Sequence, residues 1–98
     1  MEYFRDGETR ILVVEDSVSQ QNFLSEILSF NGYECELADS IKKAKNLFKP
    51  NYYACALIDL GLPDGDGISL VRYFGENDPY LVKIVLTGDA SSETIIGC

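Results

Sequence analysis

Histidine is missing from the chain altogether. That absence removes the commonest general base, a frequent metal ligand and the side chain that usually carries a labile phosphoryl group. Any chemistry must therefore fall to carboxylates and hydroxyls. Basic residues are scarce: 8 Lys and Arg stand against 16 Asp and Glu, a formal charge of −8, which repels nucleic acid and anionic membrane over most of the surface. No apolar run approaches the length of a membrane-spanning helix, and the N-terminal MEYFRDGETR lacks the basic start and apolar core of a signal peptide. A cytoplasmic protein with no direct nucleic-acid or membrane partner is expected. Cysteine is confined to Cys35, Cys55 and Cys98, odd in number and without metal-site spacing; reduced thiols, two buried and one terminal, are expected. At 98 residues there is room for one domain.

What is present alternates in period. Arg10 to Asp16 is an apolar run closed by two acids, the pattern of a strand covered on both faces. Ser17 with Gln20 three residues on fits a capping box. Phe23, Leu24, Ile27, Leu28 and Phe30 then supply a helical apolar face that Asn31-Gly32 ends. Tyr33 to Ala38 alternates as a strand near a sheet edge. Asp39-Ser40 opens a second helix with Ile41, Ala44, Leu47 and Phe48 inward and Lys42, Lys43, Lys45 and Lys49 outward, stopped by Pro50. Tyr53 to Asp59 is a third strand, Ile68 to Phe74 a third helix ending near Gly75, Tyr80 to Leu86 a fourth strand, and a fourth helix could begin at Ala90. Strands separated by helices of about ten residues give βαβ units with parallel strands and right-handed crossovers. The class is α/β, a doubly wound open sheet.

Three of these strands close on residues that carry chemistry: Glu15 and Asp16 after the first, Asp59 at the third and Thr87 at the fourth. In a parallel sheet all are carboxyl ends and lie along one edge, where open α/β sheets bind ligands at the point of reversed chain order. If the chain steps outward to the second strand and returns past the first, Asp16 and Asp59 flank that point. Carboxylates about 4 Å apart repel by roughly 1 kcal/mol per pair in water and by several times that in a sheltered cleft, so the cluster wants a cation. Oxygen ligands with room for water suit Mg²⁺, which typically bridges protein to a phosphoryl group.

ILVVEDS, ALIDLGLPDGDG and IVLTG, in this order and spacing from about Arg10 to the last residue, resemble the receiver domain of bacterial two-component response regulators. The resemblance implies a flavodoxin-like sheet of strand order 2-1-3-4. It implies that Asp59 is the phosphoacceptor, taking a phosphoryl group from a phosphohistidine of a sensor kinase or phosphotransfer protein. Glu15, Asp16 and Asp59 with the backbone carbonyl of Gly61 would hold Mg²⁺, and the Thr87 hydroxyl would hydrogen-bond a phosphoryl oxygen. Such a domain is not an enzyme in its own right; it assists its own phosphorylation and signals by a change of shape to an output domain or downstream protein. Residues 1–9 are then an N-terminal extension and residues 10–98 a partial receiver.

The sequence departs from the family pattern at its end. Receivers continue through a fifth strand, whose terminal lysine pairs with the phosphoryl group, and a fifth helix; neither has a counterpart before Cys98. The fourth strand would then be an apolar edge able to recruit another copy as a homodimer or strand swap, and the third helix would lose part of its packing. Taken singly, Asp59 could cap a turn, Glu15 and Asp16 could favour a helix N-terminus, and Thr87 could be an ordinary strand residue. Two other functions compete: a receiver-like module that binds without phosphorylation, and a phosphatase whose nucleophile lies in Asp64-Gly65-Asp66-Gly67. In the phosphatase pattern the first Asp ends the strand directly and Thr stands where this chain has Ile68.

Overall fold

The computed structural model describes residues 9–86; Thr87, Cys98 and the fourth helix expected from Ala90 lie outside the described residues. Along them run β1 (Arg10–Val14), α1 (Val18–Phe30), β2 (Glu34–Ala38), α2 (Ile41–Leu47), β3 (Cys55–Asp59), β4 (Gly61–Leu62), β5 (Gly65–Asp66), α3 (Gly67–Asn77) and β6 (Val82–Leu86). Four of the strands form one parallel sheet in the order β2-β1-β3-β6. This is the expected 2-1-3-4 arrangement, with β6 as its fourth member. The chain steps from β1 out to β2 and returns past β1 to β3. Two right-handed crossovers in opposite directions put α1 and α2 on opposite faces.

One face carries the core. Leu12, Val14, Ala38, Ala56 and Ile58 from the sheet meet Ala44 and Phe48 near α2 and Leu70 and Phe74 of α3, with Tyr53 and Leu81 closing the ends. The Phe48 and Phe74 rings stack at 4.6 Å between centroids. Tyr53 is fully buried, and its one hydroxyl proton is shared between two acceptors, Glu36 Oε1 at 2.7 Å and the Leu47 carbonyl at 3.0 Å. That satisfies the polar tip of an otherwise apolar side chain. The lysines of α2 face outward as expected, and Lys45 and Lys49 lie over the rings of Tyr73 and Tyr52.

The helix ends reflect local chemistry. Ser17 Oγ accepts from the Gln20 amide, and Ser40 Oγ from the Lys43 amide. The Gln20 half of the capping box is replaced: the Ser17 amide donates to Glu15 Oε2 at 3.1 Å. Gly32 ends the first helical unit at φ +89°, where a glycine is unstrained.

Several boundaries differ from the sequence reading. α3 begins at Gly67 and runs through Gly75 to Asn77. An interior glycine costs about 1 kcal/mol in a helix, less than the burial of Phe74 and the Asp78 cap return. The expected loop after Asp59 contains a short antiparallel ladder, Gly61 opposite Asp66 and Leu62 opposite Gly65. In α3, Leu70 and Phe74 are fully buried while Ile68 is exposed. The open face is that of α1, where no residue is buried and Phe23, Ile27 and Phe30 are exposed. Cys35 and Cys55, which flank Ile11 on neighbouring strands of the face away from the core, are half-buried rather than buried. Burial still pushes the Cys55 thiol up to about 11. Among the described residues β6 is an outer strand of the sheet, and it carries a buried charge. Lys83 points inward, 3 % exposed, with Nζ on the Leu81 carbonyl at 3.0 Å.

Candidate functional site

The register places the acidic residues together. Val14 pairs with Ile58, so the next residues along each strand, Glu15 and Asp59, emerge side by side from the carboxyl ends of β1 and β3. One carboxylate oxygen from each of Glu15, Asp16 and Asp59 lies within 4.8 Å of the others. Glu15 is buried, Asp59 half-buried and Asp16 exposed, so the cluster has a closed floor and an open mouth.

The backbone of the acidic turn is fixed from three sides. The Glu15 amide donates to the Ala38 carbonyl at 2.9 Å, Gln21 Nε2 donates to the Glu15 carbonyl at 2.6 Å, and the Ser17 amide reaches Glu15 Oε2. Burial raises the Glu15 carboxyl above its ordinary range; the Ser17 amide opposes this, and the charges of Asp59 and Asp16 add to it. Three converging carboxylates, one of them exposed to water, form an all-oxygen donor set that fits a hard ion of the Mg²⁺ type.

Asp59 is held through the turn on its C-terminal side. Its Oδ1 accepts the Gly61 amide at 3.2 Å, the Leu60 amide donates to the Leu86 carbonyl at 3.1 Å, and the Gly67 amide returns to the Leu60 carbonyl at 3.3 Å. A Cβ at Gly67 would lie 2.5 Å from the Asp59 carbonyl oxygen, so only glycine lets α3 start this close to the strand end. Leu86 pairs with Asp59, and Thr87, the next residue in the chain, lies outside the described residues. The cluster thus brings together Glu15, Asp16 and Asp59, with Gly61 tied to Asp59 through its amide. Asp59 does cap a turn, as its position at a strand end suggests, and lies in the cluster as well.

Asp64 and Asp66 stand apart from it. Asp66 caps α3 through the Ile68 amide at 2.9 Å, and Asp64 accepts the amides of Ile41 and Lys42. Both carboxylates accept amides at helix N-termini and lie outside the acidic cluster. Gln21 and the remote contact of Asp64 escaped the sequence reading. Gln21 belongs to a capping pattern read for its neighbour, and Asp64 acts on residues more than twenty positions away.

A family model described as the response regulator receiver domain matches residues 11–98. The chain belongs to the receiver domain family of response regulators. This receiver is 37 % identical over 82 residues to the transcriptional regulatory protein PhoP of Escherichia coli, a match covering 84 % of the chain and 37 % of PhoP. Among solved structures, the non-phosphorylated HemR receiver domain of Leptospira biflexa superposes with a TM-score of 0.79 at 36 % identity, covering 85 % of this chain and 67 % of that one. TrrA of Thermotoga maritima, in complex with Mg²⁺ and BeF, gives a TM-score of 0.78 at 26 % identity over 85 % of this receiver and 72 % of TrrA. TrrA has also been solved in complex with the histidine kinase ThkA. The chain spans just over a third of the length of the curated relatives it matches. No helix among the described residues is long and apolar enough to cross a membrane.

Proposed function

We propose that this receiver takes a phosphoryl group onto Asp59 from a phosphohistidine of a sensor kinase or phosphotransfer protein in the cytoplasm, and passes the signal to an output domain or downstream protein. The observation that carries this reading is the meeting of three carboxylate oxygens within 4.8 Å at the carboxyl ends of β1 and β3. Asp59 is the nucleophile: a carboxylate oxygen forms the new P–O bond as the P–N bond to the donor imidazole breaks, the leaving nitrogen keeps the electron pair, and a proton from solvent completes it. A carboxylate attacks without a proton having to be removed from it, so a chain without histidine needs no base for this step.

Glu15, Asp16, Asp59 and the Gly61 carbonyl are the residues that would hold Mg²⁺. When bound, that ion supplies charge neutralisation for the transferring phosphoryl oxygens. Thr87 comes directly after the strand that pairs with Asp59, and in this reading its hydroxyl donates to a phosphoryl oxygen. The domain is a phosphoacceptor and not a turnover enzyme. Phosphorylation adds nearly two negative charges to an acidic cleft, the local change from which a shift of shape proceeds. β6, an outer strand among the described residues, is the edge through which a second copy would pair or swap.

Incubation with Mg²⁺ and a small acyl phosphate or amidophosphate, with intact mass as the readout, tests the reading. A single phosphoryl adduct that vanishes in Asp59→Asn is expected. An unchanged mass for the wild-type chain would favour the binding module that works without phosphorylation, and steady release of phosphate from monoesters would favour a phosphatase.

A further inference from the structure

The β4–β5 hairpin links the acidic cluster to a part of the fold that the proposed chemistry does not touch. At its tip Asp64 turns its carboxylate onto the first turn of α2, where Oδ1 accepts the Ile41 amide at 2.8 Å and Oδ2 the Lys42 amide at 3.1 Å. First-turn amides have no intrahelical partner, and Ser40 supplies an acceptor only for Lys43. The hairpin therefore satisfies two donors that the local sequence leaves over. Those two amides hold the Asp64 carboxyl below its usual range, with a smaller contribution from the charge of Lys45. The same tip is in close contact with α2: Gly65 sits at φ +150°, and a Cβ there would meet Ile41 Cδ1 at 2.9 Å.

At its other end the hairpin is tied to Asp59 through the Gly61 amide and closed by Gly67 on Leu60. Between the two ends only two residue pairs form the ladder, too few to hold a direction unaided. The course of the hairpin is set by its anchors: Leu62 of β4 is buried in the core, and Asp64 is the polar anchor at the tip.

We infer that Asp64 is a positioning residue for the cation at Glu15, Asp16 and Asp59, because it sets the direction in which β4 leaves Asp59 and so where the Gly61 carbonyl lies. The inference rests on the metal reading of the cluster proposed above. Coupling of this kind is reciprocal: a cation that fixes Gly61 steadies the tip against α2, and the Ile41 and Lys42 amides report on a site they do not touch.

Nuclear magnetic resonance on the 98-residue chain tests this, reading Mg²⁺ affinity from the amide shifts around Asp59 and hydrogen exchange at Ile41 and Lys42. Asp64→Ala is expected to free both amides and to weaken Mg²⁺ by about tenfold, the low end of what outer-shell partners typically contribute. Asp64→Asn keeps one carbonyl acceptor and is expected to fall between the two. Mg²⁺ should slow exchange at Ile41 and Lys42 in the wild type and leave it unchanged in Asp64→Ala. An Asp64→Ala chain that exchanges freely there yet binds Mg²⁺ as tightly as the wild type overturns the inference and leaves the proposed function standing. A wild-type chain that binds no Mg²⁺ overturns both.

Discussion

Asp59 Oδ1 accepts the backbone amide of Gly61 at 3.2 Å while an oxygen of the same side chain lies within 4.8 Å of the carboxylates of Glu15 and Asp16. The proposed nucleophile is thus both part of a turn and part of a like-charge cluster, and the cluster bears on the titration of its neighbour Glu15. The folded state holds the Glu15 proton more tightly than the unfolded chain does. Ionising Glu15 therefore weakens the fold as pH rises from the ordinary value of 4.5 through the raised folded value. Asp64 has the opposite sign: its contribution is present above the ordinary value of 3.8 and is lost as pH falls through the lowered folded value. Mg²⁺ should accordingly raise the melting temperature more at neutral pH than below the ordinary range of Glu15. Asp59→Asn should move the Glu15 midpoint downward without returning it to 4.5, since burial is the larger cause. Thermal unfolding with and without Mg²⁺, and carboxyl chemical shifts against pH, check both.

Gly67→Ala would place a methyl group 2.5 Å from the Asp59 carbonyl oxygen. The obstacle is backbone and cannot rotate away, so α3 or the end of β3 must shift, at a cost of about 1–3 kcal/mol as for other overpacked sites. Urea unfolding should show that loss, and phosphorylation of Asp59 should slow with it.

The two faces of the sheet should respond differently to truncation. Phe74→Ala removes a fully buried ring stacked on Phe48 and should destabilise by about 3–5 kcal/mol. Phe30→Ser alters a ring that is 91 % exposed and should change stability by less than about 0.5 kcal/mol. Paired denaturant titrations distinguish the cases.

The fold was legible because the strands announce themselves: Ile11 to Val14 and Ala56 to Ile58 are continuous apolar runs, and the serines at positions 17 and 40 cap the helices of the first two crossovers. The acidic cluster was legible for the same reason, since residues at strand ends in a parallel sheet must share an edge. Local patterning misled where tertiary contacts decide. Gly75 reads as a stop, yet Phe74 and the Asp78 cap carry α3 past it. Phe23, Ile27 and Phe30 read as a core face, yet they are exposed among the described residues. Lys83 is a charge within an otherwise apolar strand, and the pairing of β6 with β3 turns it beneath α3, close to Gly75. Asp64 could not be assigned from its neighbours because its partners, Ile41 and Lys42, lie more than twenty residues earlier.

The most direct test of the central claim is to locate the phosphoryl group. Treatment with a small acyl phosphate and Mg²⁺, reduction of the acyl phosphate with borohydride and peptide mapping should convert the residue at position 59 alone to homoserine, and only when Mg²⁺ is present. Homoserine at position 16, 64 or 66, or none at all in a folded chain that binds Mg²⁺, would contradict the account.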